Sequence, residues 1–325
     1  MLKIKFDKIG IPSKEIYLTE TKPLKVLEDD DILIEIIYFP INPADLLLVE
    51  GNYAATPLLP STIGAECVAK VKEVGSSIKN FKVDDVVLPL CKDNWVEQKI
   101  VNQNELIKLP PNIDLIQASM LKVNPATAYL MLNNYVKINK GDFIIQNAAN
   151  SGVGNYIIQL CKMYDVKTIN LVRREKLFSS IKELGADYVF NMNLKSDEIK
   201  SIEQLKPKLF IDAVAGSNVN KIAKILTNGS TIINYGLLEG KNIELDPHNT
   251  IFKDIILKGF WLSLWLGRMS QEEKNILYLH LSELILMKKI HTKVKKVYHI
   301  KNITAAIEAA SKYNRDGKIL VTTQN

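Results

Sequence analysis

Apolar residues in the first third of the chain occur in short runs, several of which alternate with polar residues. Proline, glycine and Asn-Pro breakers separate the runs. Short runs bounded by such breakers are typical of strands joined by turns. The pattern predicts a β-rich, barrel-like region, with strands at 2–6, 32–39, 62–74, 85–90 and 95–101.

The pattern changes near Ile116, after which predicted strands alternate with predicted helices. Such alternation favours an α/β fold built on a doubly wound parallel sheet. The predicted strands of this sheet are 142–146, 168–172, 187–190, 208–213, 230–235 and 255–261.

After Gly259 the pattern changes again. It predicts a helix at 271–288, a strand at 293–299, a short helix at 303–311 and a last strand at 318–322. We expect this tail to complete the first, β-rich region. The α/β segment is then an insertion that precedes the C-terminal segment.

Residues 142–174 carry a strand, a glycine-containing turn, a helix and a second strand. The turn at 147–154 consists of small residues, with Gly152 and Gly154 where backbone would approach a pyrophosphate. The helix at 153–164 would aim its first amides at that phosphate. Ala149 and Ser151 occupy the first two positions of the G-x-G-x-x-G pattern, so a βαβ unit without nucleotide remains the alternative.

Two adjacent arginines follow the second strand of this unit. NAD-binding chains usually offer an acidic residue to the ribose there, whereas this chain offers Arg173 and Arg174. The chain has only four arginines, and a planar guanidinium suits a phosphate. The pair therefore predicts binding of the 2′-phosphate of NADP.

Composition narrows the classes of protein. With 325 residues, 47% hydrophobic and 24% charged, the chain should form about two globular domains. The net charge of +6 is mild and spread along the chain, which predicts no nucleic-acid partner. Three scattered cysteines predict neither a disulfide framework nor a zinc lobe.

The sequence also gives expectations for the compartment. No apolar run reaches the roughly 20 residues of a membrane span. The first residues alternate like a strand and carry neither a secretory signal nor a presequence. We expect a cytoplasmic protein, or a mitochondrial matrix protein if the sequence is a trimmed eukaryotic chain.

Several segments resemble the medium-chain dehydrogenase/reductase superfamily: residues 41–53, 63–75, 123–132, 146–154 and 259–265. Gly51-Asn52-Tyr53, the turn at 150–153, the paired arginines and Phe260-Trp261-Leu262-Ser263 resemble mitochondrial-type trans-2-enoyl thioester reductases. The resemblance implies a GroES-like β-barrel catalytic domain over 1–118 and 266–325. It implies a Rossmann NADP-binding domain over 119–265.

The resemblance also implies a reaction, the NADPH-dependent reduction of trans-2-enoyl groups on acyl carrier protein or coenzyme A in fatty acid synthesis. Tyr53 would give the proton to Cα; by itself it could equally be a packing residue. The implied cofactor contacts are Asn124, Asn150, Ser151, Gly152, Val153, Arg173, Arg174, Glu175, Tyr235, Gly236, Leu237, Leu238, Phe260, Trp261, Leu262, Ser263 and Lys318. Core packing is the alternative for Asn124, Tyr235 and Trp261, and an exposed strand-end lysine for Lys318. We expect Leu264 and Trp265 to belong to the core.

No metal is expected. Zinc-dependent alcohol dehydrogenases carry Gly-His-Glu where this chain has Gly64-Ala65-Glu66, and its four histidines lie at no metal-binding spacing.

Two alternatives to the enoyl reductase are a quinone oxidoreductase and a non-catalytic relative that acts through protein or RNA contacts. We expect a homodimer joined near 246–259. The basic segment 287–301 is either a solvated face or a docking surface for an acidic carrier protein.

Overall fold

A computed structural model describes residues 1–24, 28–54, 57–312 and 316–324. The chain divides into two compact units. The first unit comprises Met1–Val123 and Met269–Asn325, and the second comprises Asn124–Arg268. The division thus falls at Val123 and Arg268, compared with expected domain ends at 118 and 265.

The strands, in chain order, are β1 Leu2–Phe6, β2 Ile16–Glu20, β3 Asp31–Pro40, β4 Ser61–Thr62, β5 Val68–Val74, β6 Val86–Pro89, β7 Gln98–Asn102, β8 Leu106–Lys108, β9 Phe143–Gln146, β10 Lys167–Val172, β11 Tyr188–Asn191, β12 Leu209–Asp212, β13 Thr231–Asn234, β14 Ile256–Gly259, β15 Val294–His299 and β16 Lys318–Thr322.

The α-helices are α1 Pro12–Glu15, α2 Pro43–Val49, α3 Leu115–Ala118, α4 Asn124–Asn134, α5 Gly152–Tyr164, α6 Phe178–Glu183, α7 Ser196–Leu205, α8 Asn218–Ala223, α9 Pro247–Phe252, α10 Leu262–Arg268, α11 Gln271–Leu286 and α12 Ile303–Ser311. Short 3-10 helices cover Gln103–Glu105, Glu175–Leu177 and Ile300–Asn302. Of the described helices, none has both the length and the apolar character to cross a membrane.

The first unit is built on two sheets. A seven-stranded sheet has the order β15-β16-β3-β5-β6-β8, with β7 also paired to β3, and a three-stranded sheet has the order β2-β1-β4. Strand β16 runs antiparallel to β3, with Val321 opposite Phe39. The C-terminal tail therefore completes the sheet that the N-terminal residues begin, and the predicted insertion of the α/β segment is confirmed.

One predicted strand of this unit is wrong. Residues 62–74 form two strands, β4 and β5, because the chain bends at Gly64, where φ is +121°. A Cβ atom there would lie 2.8 Å from the Trp95 amide nitrogen, so the bend requires glycine. Trp95 also lies outside its predicted strand; its amide donates to Ile63, and its ring stacks on Phe39.

The second unit contains a six-stranded parallel sheet with the order β11-β10-β9-β12-β13-β14. Its inner strands are mostly apolar, as expected for strands that are covered on both faces; all four residues of β12 are buried. The strand order reverses direction between β9 and β12. In doubly wound sheets ligands bind at the carboxyl ends of the strands at such a point.

Candidate functional site

The carboxyl end of β9 opens into a turn that leads directly into α5. Ser151 caps this helix, because its Oγ accepts a hydrogen bond of 3.0 Å from the Gly154 amide. A Cβ atom at Gly154 would lie 2.6 Å from the Ala149 carbonyl oxygen, so close packing of the helix against the turn requires glycine. The helix begins at Gly152, one residue earlier than predicted.

The first amides of α5 are available to a ligand. Among the described residues, the amides of Gly152 and Val153 have no protein acceptor, as is usual for the first turn of a helix. The helix dipole adds partial positive charge at the same place. Asn150, just before the cap, is exposed. This helix end has the chemistry that binds phosphate.

Asn124 supplies a second, independent sign of a ligand. It begins α4, is 8% exposed, and its Nδ2 has no hydrogen-bond partner in the described part of the chain. A Cβ atom at Gly152 would lie 3.1 Å from this nitrogen, so the amide lies directly against the turn. Buried donors are rarely left without an acceptor. A dinucleotide bound at the turn fits both Asn124 and the free amides.

Tyr235 also lies at this turn. It directly follows β13, and its hydroxyl forms a hydrogen bond with the Ser151 side chain. Burial raises the pKa of Tyr235 to about 12, so its phenol remains protonated at neutral pH. A Cβ atom at Gly236 would lie 2.6 Å from the Ala213 carbonyl oxygen. Leu237 and Leu238, which come next, are exposed apolar residues.

A row of polar side chains lies at the carboxyl ends of the three central strands. The Asp212 carboxylate accepts hydrogen bonds from Asn147 and, at 2.7 Å, from Asn234. The Ala213 amide donates to Asn147 Oδ1 at 2.7 Å. Sequence reasoning missed this row. Its signal was a polar residue at or just after the last position of three strands that are mostly apolar.

Arg173 and Arg174 leave the carboxyl end of β10, the strand beside β9. Arg173 is exposed and, among the described residues, forms no ion pair with a carboxylate. Arg174 is half-buried and does interact within the protein. Glu175 is exposed and begins a 3-10 helix. The structure places this group at the same sheet edge as the turn.

Phe260 follows β14, the outermost strand, and belongs to an aromatic cluster. Its ring stacks on Trp265 at a centroid distance of 6.1 Å and lies 6.3 Å from Tyr135. The Trp265 indole donates to the Tyr135 hydroxyl at 3.1 Å. Trp265 packs within this cluster, but it is only half-buried and α10 contains no buried residue, so the expectation that it belongs to the core is wrong. The same expectation for Leu264 is wrong, because Leu264 is 46% exposed.

The other residues of this segment differ in burial. Trp261 is 39% exposed and interacts within the protein, while Leu262 and Ser263 begin α10 and are half-buried. Contacts in the structure join Asn124, Ser151, Gly152 and Tyr235 to one another around the turn. The aromatic segment instead gathers around Tyr135.

Tyr53 lies in the first unit, on the turn that follows α2. Gly51 ends the helix at φ +73°, and a Cβ atom there would lie 2.8 Å from Ile9 Cγ2. The Asn52 amide bonds back to the Leu47 carbonyl at 2.9 Å. These contacts fix the chain just before Tyr53, whose side chain is half-buried. The predicted setting on a turn after a helix is therefore present.

Lys318, also in the first unit, belongs to a buried charged cluster that we call the closed cluster: Asn42, Asp45, Glu66, Lys122 and Lys318. Lys318 Nζ donates to Asn42 Oδ1, and Asn42 Nδ2 donates to Glu66 Oε1 at 2.7 Å. Burial raises the pKa of Glu66 and, to about 7, that of Asp45; it lowers the pKa of Lys122. This setting gives Lys318 a structural partner.

Two family models match the chain. One, described as "Alcohol dehydrogenase GroES-like domain", covers residues 28–108; the other, "Zinc-binding dehydrogenase", covers residues 152–279. The mitochondrial enoyl-[acyl-carrier-protein] reductase of Dictyostelium discoideum is 33% identical over 90% of this chain and 87% of its own length. The chain belongs to the medium-chain dehydrogenase/reductase superfamily. Membership supports an oxidoreductase activity, and it confirms the predicted GroES-like and Rossmann-type fold.

Solved structures of the superfamily share this fold over almost their whole length. A protein described as an NADPH:quinone reductase from Bacillus thuringiensis superposes with a TM-score of 0.92 and 25% identity, over 99% of both chains. The mitochondrial 2-enoyl thioester reductase heterodimer of Candida tropicalis superposes with a TM-score of 0.90 and 24% identity, over 99% of both chains.

The position of the zinc ligand in the zinc-dependent members of the superfamily is Ala65 here. Its amide donates to Asp45 at 2.9 Å, and its carbonyl accepts from Lys122 Nζ at 2.6 Å. Glu66 is fully buried and accepts from the Val123 amide at 2.8 Å. Across the described ranges, no three His, Cys, Asp or Glu side chains are grouped to hold a metal.

Proposed function

We propose that this protein is an NADPH-dependent reductase of trans-2-enoyl thioesters. The observation that supports NADPH binding is the turn after β9. There, two helix amides and the buried Asn124 amide have no hydrogen-bond acceptor among the described residues. The choice of enoyl thioester rests on the relative that is 33% identical and on the setting of Tyr53.

The residues around the turn suit each part of the cofactor. The amides of Gly152 and Val153 would bind the pyrophosphate, and Asn124 and Tyr235 would donate further hydrogen bonds. Arg173 and Arg174 would bind the 2′-phosphate that distinguishes NADPH from NADH. Bound NADPH would supply the hydride for Cβ of the substrate. Further proposed neighbours of the cofactor are Asn150, Glu175, Gly236 to Leu238 and Phe260 to Ser263. Lys318 has the least support as a cofactor contact, because it already donates to Asn42.

Tyr53 is the proposed general acid. Reduction of the double bond adds a hydride at Cβ and a proton at Cα, and the phenol would supply that proton. The phenolate then regains a proton from water, so that one enoyl thioester, one NADPH and one proton give one acyl thioester and one NADP⁺. The helix end at Gly51 holds the backbone that carries this phenol.

NADPH oxidation with trans-2-enoyl thioesters of increasing chain length tests the proposal. We expect turnover of crotonyl thioester and a rate that depends on chain length, since a pocket must accept the acyl group. NADH should be a poorer donor. Absence of turnover with every enoyl thioester, on folded protein that binds NADPH, would refute the proposed reaction.

A quinone oxidoreductase is the second candidate, because a protein described as a quinone reductase shares the fold at 25% identity. Parallel assays with crotonyl thioester and a simple quinone separate the two functions. A non-catalytic relative would bind NADPH and consume it with neither substrate. An RNA gel-shift assay beside the NADPH assay tests that reading.

We also propose a homodimer formed through β14. This strand pairs with β13 on one side and with no described strand on the other, and Ile256 and Leu257 are 41% and 40% exposed. Exposed apolar edge strands tend to pair. Light scattering should give a dimer for the natural protein and a monomer for Leu257→Lys. Val83→Lys, which alters an apolar residue of the first unit that is 52% exposed, should leave the dimer intact.

The compartment is a proposal too. The relative from Dictyostelium discoideum is a mitochondrial enzyme, which favours the mitochondrial matrix among the two compartments expected from sequence. Imaging of the full-length protein in its own cells would decide between matrix and cytoplasm.

A further inference from the structure

The net charge of this chain is concentrated in one segment. Residues 287–301 contain six lysines and no acidic residue, and we call them the lysine tract. The other 36 lysines and arginines are balanced by 36 aspartates and glutamates, so the tract accounts for the whole net charge of +6. The expectation of an evenly spread charge is therefore wrong.

The fold presents the tract as a surface. Helix α11 ends at Leu286, a turn follows, and β15 then forms one edge of the seven-stranded sheet. All six lysines are exposed: Lys288, Lys289, Lys293, Lys295, Lys296 and Lys301. Leu286 and Met287, at the start of this surface, are 39% and 65% exposed.

Few of these charges are used within the protein. Lys293 pairs with Asp316 at 2.5 Å, and Lys296 lies 4.6 Å from the centre of the Tyr298 ring. Lys288, Lys289, Lys295 and Lys301 form no ion pair with any carboxylate that the structure describes. The surface therefore carries unneutralised positive charge beside exposed apolar side chains.

These features favour an acidic protein as the partner. Lysines are flexible point charges that suit carboxylates and long-range steering, whereas phosphate and nucleic-acid sites favour arginine, which is absent from the tract. Exposed Leu and Met side chains suit a protein surface. We propose that the lysine tract docks the acidic carrier protein that delivers the enoyl group. This inference rests on the proposed function, because it names the carrier for the same reaction.

The test variant and the control variant change the net charge by the same amount, but at different places on the surface. The test variant is Lys289→Glu with Lys295→Glu and Lys296→Glu, and a neutral version carries Gln at the same positions. The control variant is Lys79→Glu with Lys200→Glu and Lys221→Glu, three exposed lysines outside the tract that form no ion pair within the described ranges. Thermal melting should show all variants folded.

Fluorescence anisotropy with a labelled acyl carrier protein measures docking without catalysis. At low ionic strength we expect the test variant to bind at least about tenfold more weakly than the natural protein. The Gln version should fall between them, and the control variant should stay within about twofold. Added salt should weaken binding of the natural protein towards that of the test variant.

Turnover separates docking from chemistry. The test variant should lose about tenfold in kcat/KM for crotonyl carrier protein, through KM rather than kcat. Crotonyl N-acetylcysteamine, which carries neither protein nor phosphate, should react equally with all variants. If the natural protein reduces neither thioester, the proposed function fails, while the anisotropy result still decides docking.

Equal carrier binding by the test and control variants would overturn the inference. So would tighter binding of anionic lipid vesicles or RNA than of the carrier protein, with the same dependence on the tract. Edge-strand lysines also prevent sheets from pairing with one another. If the test variant associates with itself yet binds carrier protein normally, that protective role is the whole function of the tract.

Discussion

Two groups of polar atoms, one in each unit, differ in whether their hydrogen bonds are complete. In the closed cluster, Lys318 donates to Asn42, Asn42 donates to Glu66, and Lys122 donates to two carbonyl groups. At the turn after β9, the Asn124 amide and two helix amides have no acceptor among the described residues.

The difference separates structural polar groups from ligand-binding ones. A buried charge costs several kcal/mol of folding free energy unless it is paired. The complete hydrogen bonding of the closed cluster is therefore explained by stability, without any ligand. A buried donor without an acceptor lowers stability, and its retention points to a partner outside the chain. Substitutions in the two groups should therefore have opposite signatures.

The largest effect is expected for Lys318→Met in the closed cluster. The change leaves Asn42 without its donor and removes the charge that faces Glu66 and Asp45. We expect the free energy of unfolding in urea to fall by about 3–5 kcal/mol. Lys200→Met, on the exposed face of α7, should change it by less than about 0.5 kcal/mol.

NADPH affinity decides between the two roles considered for Lys318. If Lys318 is structural, the folded variant should bind NADPH normally. A stability loss below about 1 kcal/mol together with a clear rise in Kd for NADPH would instead support the cofactor contact that the resemblance implies.

Tyr53→Phe should affect rate and leave stability almost unchanged, although Tyr53 belongs to the same unit as the closed cluster. The change removes one hydroxyl from a half-buried ring. We expect kcat for crotonyl thioester to fall at least about 100-fold, which corresponds to about 2.7 kcal/mol, with Kd for NADPH unchanged. Near-normal turnover by the folded variant would remove Tyr53 as the acid.

Replacing Arg173 and Arg174 with Ala should erase the preference for NADPH over NADH. The expected loss is at most about 1.5–3 kcal/mol for each charged hydrogen bond to the 2′-phosphate. Affinity for NADH should change little, because NADH has no such phosphate. The ratio of the two Kd values is the measurement, and an unchanged ratio would place the phosphate contact elsewhere.

The contrast between the two groups explains what sequence could predict. The turn after β9 is a local feature, so the strand, the small residues, the helix and the arginines could be found within one stretch of about 30 residues. The closed cluster joins Asn42 to Glu66, which is 24 positions away, and to Lys318, which is 276 positions away. No local sequence pattern marks such pairs. Lys318 was therefore interpreted without its partner.

Two other differences also have physical causes. The bend at Gly64 depends on its contact with Trp95, about 30 residues away, so an apolar run looked like one continuous strand. Leu264 looked like core because its neighbours are aromatic, yet α10 turns it outward to 46% exposure. Tertiary contacts decide both cases, and composition alone does not contain them.

The closed cluster also predicts a pH dependence. Burial raises the pKa of Asp45 from 3.8 to about 7, so between these values the folded state holds a proton that the unfolded state has lost. The stability that this group contributes is thus complete below pH 3.8 and lost as pH rises through about 7.

The difference in unfolding free energy between the natural protein and Asp45→Asn should fall from pH 5 to 8. Its slope should not exceed about 1.4 kcal/mol per pH unit. A flat or rising difference would contradict the raised pKa.

Asn124→Ala tests the incomplete group and should have the smallest effect. Removing a buried amide that has no acceptor should raise the unfolding free energy, or at least not lower it, because the penalty of the buried donor disappears. The same change should weaken NADPH binding by about 1 kcal/mol, or about fivefold in Kd, because one hydrogen bond to the cofactor is lost.

The matched control for Asn124 lies on the same helix. Asn133→Ala alters an exposed residue near the other end of α4, whose side chain bonds to the Tyr129 carbonyl and to Tyr164 and does not contact the turn. It should leave NADPH binding unchanged. A gain in stability and a loss of affinity at Asn124 alone would mean that this donor is kept for the cofactor at a cost to the fold. A loss of stability with unchanged affinity would make Asn124 a packing residue.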